Sequence, residues 1–122
     1  MHRARFRRLV ERALASVPAP FAERIDNVDV LVRSRPTAAE LDNAGVPDGH
    51  TLLGLYVGHP LTQRTSGYGS TLPDRILIFQ EPIEAMCESD ADVVAQVRTT
   101  VLHELAHHFG IDDARLDELG LD

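Results

Sequence analysis

The sequence contains no lysine and no tryptophan, and it has one cysteine, Cys87. A single cysteine cannot form an internal disulfide, which excludes the cross-linked framework of small secreted proteins. No stretch approaches the roughly 18 apolar residues that a membrane-spanning helix requires. Arginines interrupt the first 16 residues, so these lack the continuous apolar run of a signal peptide. We therefore expect a cytoplasmic protein that has no membrane partner.

Aromatic residues are scarce as well, with four Phe and two Tyr among 122 residues, so the core is expected to be aliphatic. Hydrophobic residues make up 43% of the chain, enough for a packed interior, and the length suits a single domain over residues 1–122. The net charge is −7, which is the wrong sign for a nucleic-acid partner. We expect a monomer.

The charge is unevenly distributed along the chain. Residues 1–12 carry five Arg and one Glu, whereas residues 81–122 carry eleven acidic residues and two Arg. The two segments are expected to attract each other. A basic helix at the start could instead lie on an anionic membrane, but its narrow apolar stripe favours packing on the core.

Apolar residues at helical spacing predict a first helix over residues 3–17, which Pro18 and Pro20 would end. Alternating valines from Val28 predict a half-buried strand that ends at Arg35-Pro36. Thr37 is expected to cap a short helix through Asn43, with Glu40 completing a capping box.

The second half of the chain is predicted to contain two further strands, over residues 52–57 and 75–80, joined by a long polar loop over residues 58–74. Such loops either form the rim of a site or simply connect a hairpin. A helical turn is expected at residues 82–87. Ser89 or Asp90 would then cap a long helix with its interior at residues 93–109, closed by Gly110. A short last helix is predicted over residues 112–119.

The most informative segment of the sequence is His103-Glu104-Leu105-Ala106-His107, an HExxH motif. Two histidines four residues apart on a helix project to one side and can share a Zn²⁺ ion, and the intervening Glu can act as general base. HExxH alone arises in about 2% of random orderings of this composition. Adding Gly110 and Asp113 at their positions lowers that to roughly one in ten thousand.

A helical wheel at about 100° per residue separates these histidines from the core. The apolar face is predicted to contain Val94, Val97, Val101, Leu102, Leu105 and Phe109. His103 and His107 lie off this face, so they are not expected to be core residues. His108 falls at its edge and is expected to be packed or to support the site rather than to bind metal.

A catalytic zinc needs three protein ligands and one open position, so a third ligand is expected close by. Gly110 permits a tight turn that would return Asp113 to the metal, and Asp113 is the predicted third ligand. Its neighbour Asp112 is expected to cap the following helix. Glu118 is an alternative third ligand, although its spacing from His107 is short for enzymes that use a downstream Glu.

The pattern His103-Glu104-x-x-His107-x-x-Gly110-x-x-Asp113 resembles the metzincin-type motif in its Asp variant. With the first helix, the 52–56 and 72–76 segments and the final helix, the chain resembles the small bacterial zincin-like metallopeptidases that have a minimal zincin fold. The resemblance implies an α+β fold, with a small mixed sheet of about three strands flanked by helices and the active-site helix near the C-terminus. It also implies His103, His107 and Asp113 as zinc ligands and Glu104 as general base.

The chain departs from larger relatives in two ways. Metzincins have a Met-turn downstream of the motif, whereas no Met follows Gly110 here, and Met86 lies upstream. The chain also has no segment for the lower wall of a large zincin cleft. An open, shallow site is therefore expected.

The predicted function is zinc-dependent hydrolysis of peptide bonds in a peptide or protein substrate. Tyr68, His59 and Arg75 are candidates for stabilising the oxyanion, and strand 75–80 is the candidate for pairing with substrate. Two alternatives stay open: a non-catalytic or vestigial zinc-binding interaction module, and a metal-free interaction protein whose basic first helix contacts an acidic partner.

Overall fold

The computed structural model describes residues 1–19, 21–58, 73–110 and 114–115. The elements follow in the order α1 (Arg3–Ala15), α2 (Phe21–Ile25), β1 (Val28–Arg33), α3 (Ala38–Asn43), β2 (Gly54–Val57), β3 (Asp74–Phe79), α4 (Gln80–Ala85) and α5 (Asp90–His108). Among these residues, no helix has the length and apolar character needed to cross a membrane.

The three strands form one mixed sheet in the order β1-β3-β2. Strand β3 pairs in parallel with β1, with Val30 opposite Ile76, and antiparallel with β2, with Tyr56 also opposite Ile76. The prediction that β3 pairs with substrate was therefore wrong, because both of its edges are already hydrogen-bonded. Among the described residues, β1 and β2 form the two edges of the sheet.

One face of the sheet carries α1 and α5, and the main core lies between these layers. Its fully buried members are mostly aliphatic, as expected, with Phe6 and Phe21 added: Phe6, Ala13, Phe21, Ile76, Ile78, Ile83, Val97, Val101, Leu102, Leu105 and Ala106 are all 0% exposed. Ile76 and Ile78 alternate with residues of the opposite face, as the pleat requires. The result is an α+β fold with a small mixed sheet and a long helix towards the C-terminus, as predicted.

Most element boundaries follow the local signals in the sequence. Thr37 and Glu40 form the complete capping box of α3, and the Ser89 hydroxyl caps α5 by accepting from the Asp92 backbone N–H. Gly110 has a φ of 74°, the left-handed conformation expected of a glycine after a helix. Strand β2 begins at Gly54, two residues later than predicted, and α1 ends at Ala15, two residues earlier.

Helix α2 was not predicted from the sequence. This helix has five residues, too few for a helical period to show, and only its Phe21 is fully buried. The predicted 58–74 loop lies almost wholly outside the described residues, as does the predicted last helix over residues 112–119.

Opposite charges meet directly between the start of the chain and α5. The Arg5 guanidinium donates to the Asp90 carboxylate at 2.6 Å, which joins the basic first helix to the first turn of α5. Both side chains are well exposed, so this pair contributes little to stability beyond orientation.

Candidate metal centre

Helix α5 carries the HExxH motif, and its buried face fixes how the motif is presented. Val97, Val101, Leu102 and Leu105 are fully buried, as the wheel predicted. His103 is half-buried and His107 is exposed, so both lie off the core face. Their ring centroids are 6.4 Å apart and the ring planes differ by 22°. The two imidazoles therefore stand one helical turn apart on the same side of α5.

Glu104 lies between these histidines along the chain and faces strand β2. Its Oε1 accepts a hydrogen bond from the Tyr56 backbone N–H at 2.9 Å. Burial raises the pKa of the Glu104 carboxyl above its ordinary value, while the Tyr56 N–H and positive charge on the two imidazoles act in the opposite direction. A carboxylate with a raised pKa is better matched to accepting a proton near neutral pH.

The register of β2 explains why the Tyr56 amide is available to Glu104. The Phe79 N–H donates to the Leu53 carbonyl at 3.0 Å, so the backbone groups of Leu53 face β3. Backbone direction alternates along an antiparallel strand, which turns the backbone groups of Gly54 and Tyr56 to the outer edge. The edge strand thereby presents an N–H to the motif helix.

A polar cluster beside Glu104 was not anticipated from the sequence. The Tyr56 hydroxyl donates to Asp74 Oδ2 at 2.7 Å, and the His108 ring stacks on the Tyr56 ring with centroids 3.9 Å apart. His108 Nε2 is 3.9 Å from the same Asp74 oxygen. His108 thus packs against the strand instead of facing the side of α5 that carries the other two histidines.

The cluster borders an open cleft of about 730 Å³ at the C-terminal end of α5. Its lining includes Tyr56, Asp74, His108, Phe109 and the α2–β1 turn. Phe109 was predicted to lie on the core face, and this was wrong. It follows the last helical residue, is 40% exposed, and has the Arg24 guanidinium 4.0 Å from its ring centroid.

The two candidate metal ligands among the described residues, His103 and His107, have the donor chemistry that zinc prefers. Two imidazoles on one side of a helix are typical zinc ligands. Within the described residues, no group of three His, Cys, Asp or Glu side chains comes together that could hold a metal ion. The predicted third ligand Asp113, its neighbour Asp112 and the alternative Glu118 lie outside the described residues.

Of the oxyanion candidates, Arg75 is placed away from the motif. Arg75 and Leu77 alternate with the core residues Ile76 and Ile78, so the Arg75 side chain lies on the sheet face opposite α5. Tyr68 and His59 lie outside the described residues. Met86 is 62% exposed and lies beside the first half of α5, away from the histidines.

Three contributors to this site were not predicted from the sequence: Gly54, Tyr56 and Asp74. A glycine within a strand often marks a close approach of another element, and Gly54 carried that signal. Nothing local distinguishes Tyr56 or Asp74, because their importance comes from the pairing of β2 with β3 and the packing of α5.

The comparisons with known proteins agree with this architecture. The zincin-like metallopeptidase family matches residues 25–121, so the chain belongs to that family. Among solved structures, it is similar to a conserved hypothetical protein from Thermus thermophilus, with 26% identity and a TM-score of 0.56 over 99% of this chain and all of the other. The comparison with curated proteins gives no match.

Proposed function

We propose that this protein is a zinc-dependent peptidase in which His103, His107 and Asp113 hold the metal and Glu104 is the general base. One observation carries the proposal. Glu104 is held against the edge strand by the Tyr56 N–H, beside two imidazoles that share one side of α5. Two histidines one turn apart on a helix, with the intervening Glu beside them, are the metal donors and the base that an HExxH helix offers for metal-assisted hydrolysis.

Zinc, when bound by these residues, supplies Lewis acidity that makes water nucleophilic near neutral pH and polarises a peptide carbonyl. Glu104 has one oxygen, Oε1, engaged by the Tyr56 N–H. The other, Oε2, makes no hydrogen bond within the described part of the chain, so it is the atom that would accept the proton of the attacking water. The same oxygen would then return that proton to the leaving amine.

The substrate is a peptide or protein segment that lies along β2. This is the strand edge next to Glu104, and an extended peptide can add to such an edge through its main chain. The cleft bordered by Tyr56, His108 and Phe109 lies at the end of this strand and would accept a substrate side chain. Neither a nucleic acid nor a membrane is proposed as a partner, and the protein is proposed to act as a cytoplasmic monomer.

The test combines elemental analysis of protein purified without a histidine tag with digestion of a peptide library. The wild type is expected to contain one zinc per chain and to cleave peptides. Glu104→Gln should keep its zinc and lose roughly 100-fold or more in rate, the range that general-base catalysis supplies. Glu11→Gln makes the same chemical change on the exposed surface of α1 and should match the wild type.

Three outcomes would contradict the proposal in different ways. Wild-type protein that holds zinc but cleaves nothing in the library would indicate the non-catalytic zinc module. Protein without zinc, even after incubation with the metal, would indicate a metal-free interaction protein. Cleavage that persists unchanged in Glu104→Gln would remove Glu104 from the mechanism.

A further inference from the structure

Helix α5 and strand β2 lie very close together at Gly54 and Thr100. A Cβ atom added at Gly54 would lie 2.6 Å from Cγ2 of Thr100 and 3.1 Å from the Leu77 carbonyl oxygen. The first distance is about 0.8 Å short of the 3.4 Å at which ordinary van der Waals contact begins. Only glycine allows the helix and the strand to lie this close together.

Thr100 cannot simply turn its methyl group away. Its hydroxyl donates to the Gln96 carbonyl at 2.8 Å, which fixes the rotamer, and the residue is buried against the sheet. Rotation would break this hydrogen bond inside a packed layer, where an unsatisfied hydroxyl is costly. A side chain at Gly54 would therefore displace the backbone of α5 or β2.

The contact between Gly54 and Thr100 lies close to the hydrogen bond between Tyr56 and Glu104 along both α5 and β2. Thr100 precedes Glu104 by four residues, which is about one helical turn, and Gly54 precedes Tyr56 by two residues on the same face of β2. The hydrogen bond between Tyr56 N and Glu104 Oε1 is 2.9 Å long. A retreat of α5 large enough to accept a Cβ at Gly54 would extend it beyond the roughly 3.5 Å limit of a hydrogen bond.

We propose that Gly54 is a positioning residue: because it has no side chain opposite Thr100, α5 and β2 can lie close enough for the Tyr56 amide to hold Glu104. The catalytic consequence rests on the proposed function. The structural consequence does not, because the Tyr56 amide reports the spacing whether or not the protein is an enzyme.

The experiment compares Gly54→Ala, Thr100→Ser and the double variant in the full chain. Serine at position 100 lacks Cγ2, the atom that a Cβ at Gly54 would meet, and keeps the hydroxyl that donates to the Gln96 carbonyl. In NMR spectra of the zinc-free protein, Gly54→Ala should shift the Tyr56 amide proton upfield and speed its hydrogen exchange. The double variant should restore both signals towards those of the wild type, and Thr100→Ser alone should leave them nearly unchanged.

Kinetics provide the second measurement. Gly54→Ala should lower kcat on the order of 10- to 100-fold with little change in KM, because a displacement near 1 Å of a catalytic group has that scale of effect. Zinc content should stay the same, since both proposed histidine ligands lie on α5 itself. The double variant should recover most of the lost kcat.

The outcomes separate this proposal from the proposed function. Absence of peptidase activity in the wild type would overturn the function, while the Tyr56 amide would still test the spacing. An unchanged Tyr56 amide in Gly54→Ala would overturn the spacing proposal. So would failure of the double variant to recover the amide signal or the fold, because the Thr100 methyl would then not be the obstacle.

Discussion

The backbone N–H of Tyr56 donates to Oε1 of Glu104 at 2.9 Å, which joins the edge strand β2 to the motif helix α5 at the proposed general base. This bond fixes one oxygen of a half-buried carboxylate whose pKa is raised by burial. It also makes the geometry of the site depend on the distance between a strand and a helix that are far apart in sequence.

The first prediction concerns stability as a function of pH. Burial places the folded-state pKa of Glu104 above its value in the unfolded chain, so the stability it contributes is fully present below the unfolded pKa. That contribution is lost as pH rises through the folded pKa. Glu104→Gln stays neutral throughout, so the metal-free variant should gain free energy of unfolding relative to the wild type as pH rises from 4 to 8.

Urea unfolding in the presence of a chelator, at several pH values, measures this difference. Glu11→Gln is the matched control, because residue 11 is exposed on α1, and its difference from the wild type should not grow with pH. A difference for Glu104→Gln that is constant across the range would show that burial does not perturb this carboxyl.

The second prediction concerns the two histidines of the motif. His103→Ala and His107→Ala should each weaken zinc binding by at least roughly 10- to 100-fold. That is the loss seen when a residue that only hydrogen-bonds to a metal ligand is removed, and a ligand itself should matter at least as much. His108→Ala is a close control, because it also removes an imidazole from the end of α5, but one that stacks on Tyr56. Competition with a fluorescent chelator gives the affinities, and equal losses in all three variants would contradict the assignment.

The third prediction concerns the remaining ligand. Asp113→Ala should weaken zinc binding far more than Asp112→Ala, because a catalytic zinc needs a third protein ligand and the motif spacing favours Asp113. Asp112→Ala should instead lower the free energy of unfolding by about 1 kcal/mol, as expected for loss of a helix cap. Equal effects of the two variants on zinc affinity would reject the choice between these neighbours.

The fourth prediction concerns the polar cluster beside Glu104. Tyr56→Phe removes the hydroxyl that donates to Asp74 but keeps the ring that stacks on His108 and the backbone N–H that holds Glu104. The free energy of unfolding should fall by about 1 to 2 kcal/mol, since a half-buried carboxylate loses a donor. Zinc affinity should be unchanged, and a large loss of zinc would show that the hydroxyl acts on the metal centre instead.

The local signals in the sequence were reliable where a short segment contains all the atoms that decide its structure. The capping box of Thr37 and Glu40 and the left-handed Gly110 formed as predicted, and of the two predicted caps of α5 the structure has Ser89. The burial of Val97, Val101, Leu102 and Leu105 on α5 was likewise predicted. Phe109 was misplaced because helical periodicity no longer applies once the helix has ended.

The errors arose where partners are distant in sequence. Strand β3 was expected to meet substrate, but nothing in its apolar residues shows that it is the central strand, with β1 on one side and β2 on the other. Arg75 was a candidate at the site because it follows the polar loop. The pleat places Arg75 on the opposite face of the sheet. Which residues of a strand face the core is decided only by the register of its pairing.

The HExxH motif alone predicted that His103 and His107 share one side of a helix, because that placement needs only the 3.6-residue helical period. The tertiary structure decided which strand faces that helix and how close it lies. Those features depend on strand order, register and the absence of a side chain at Gly54 opposite Thr100, which are contacts between residues that no local pattern connects.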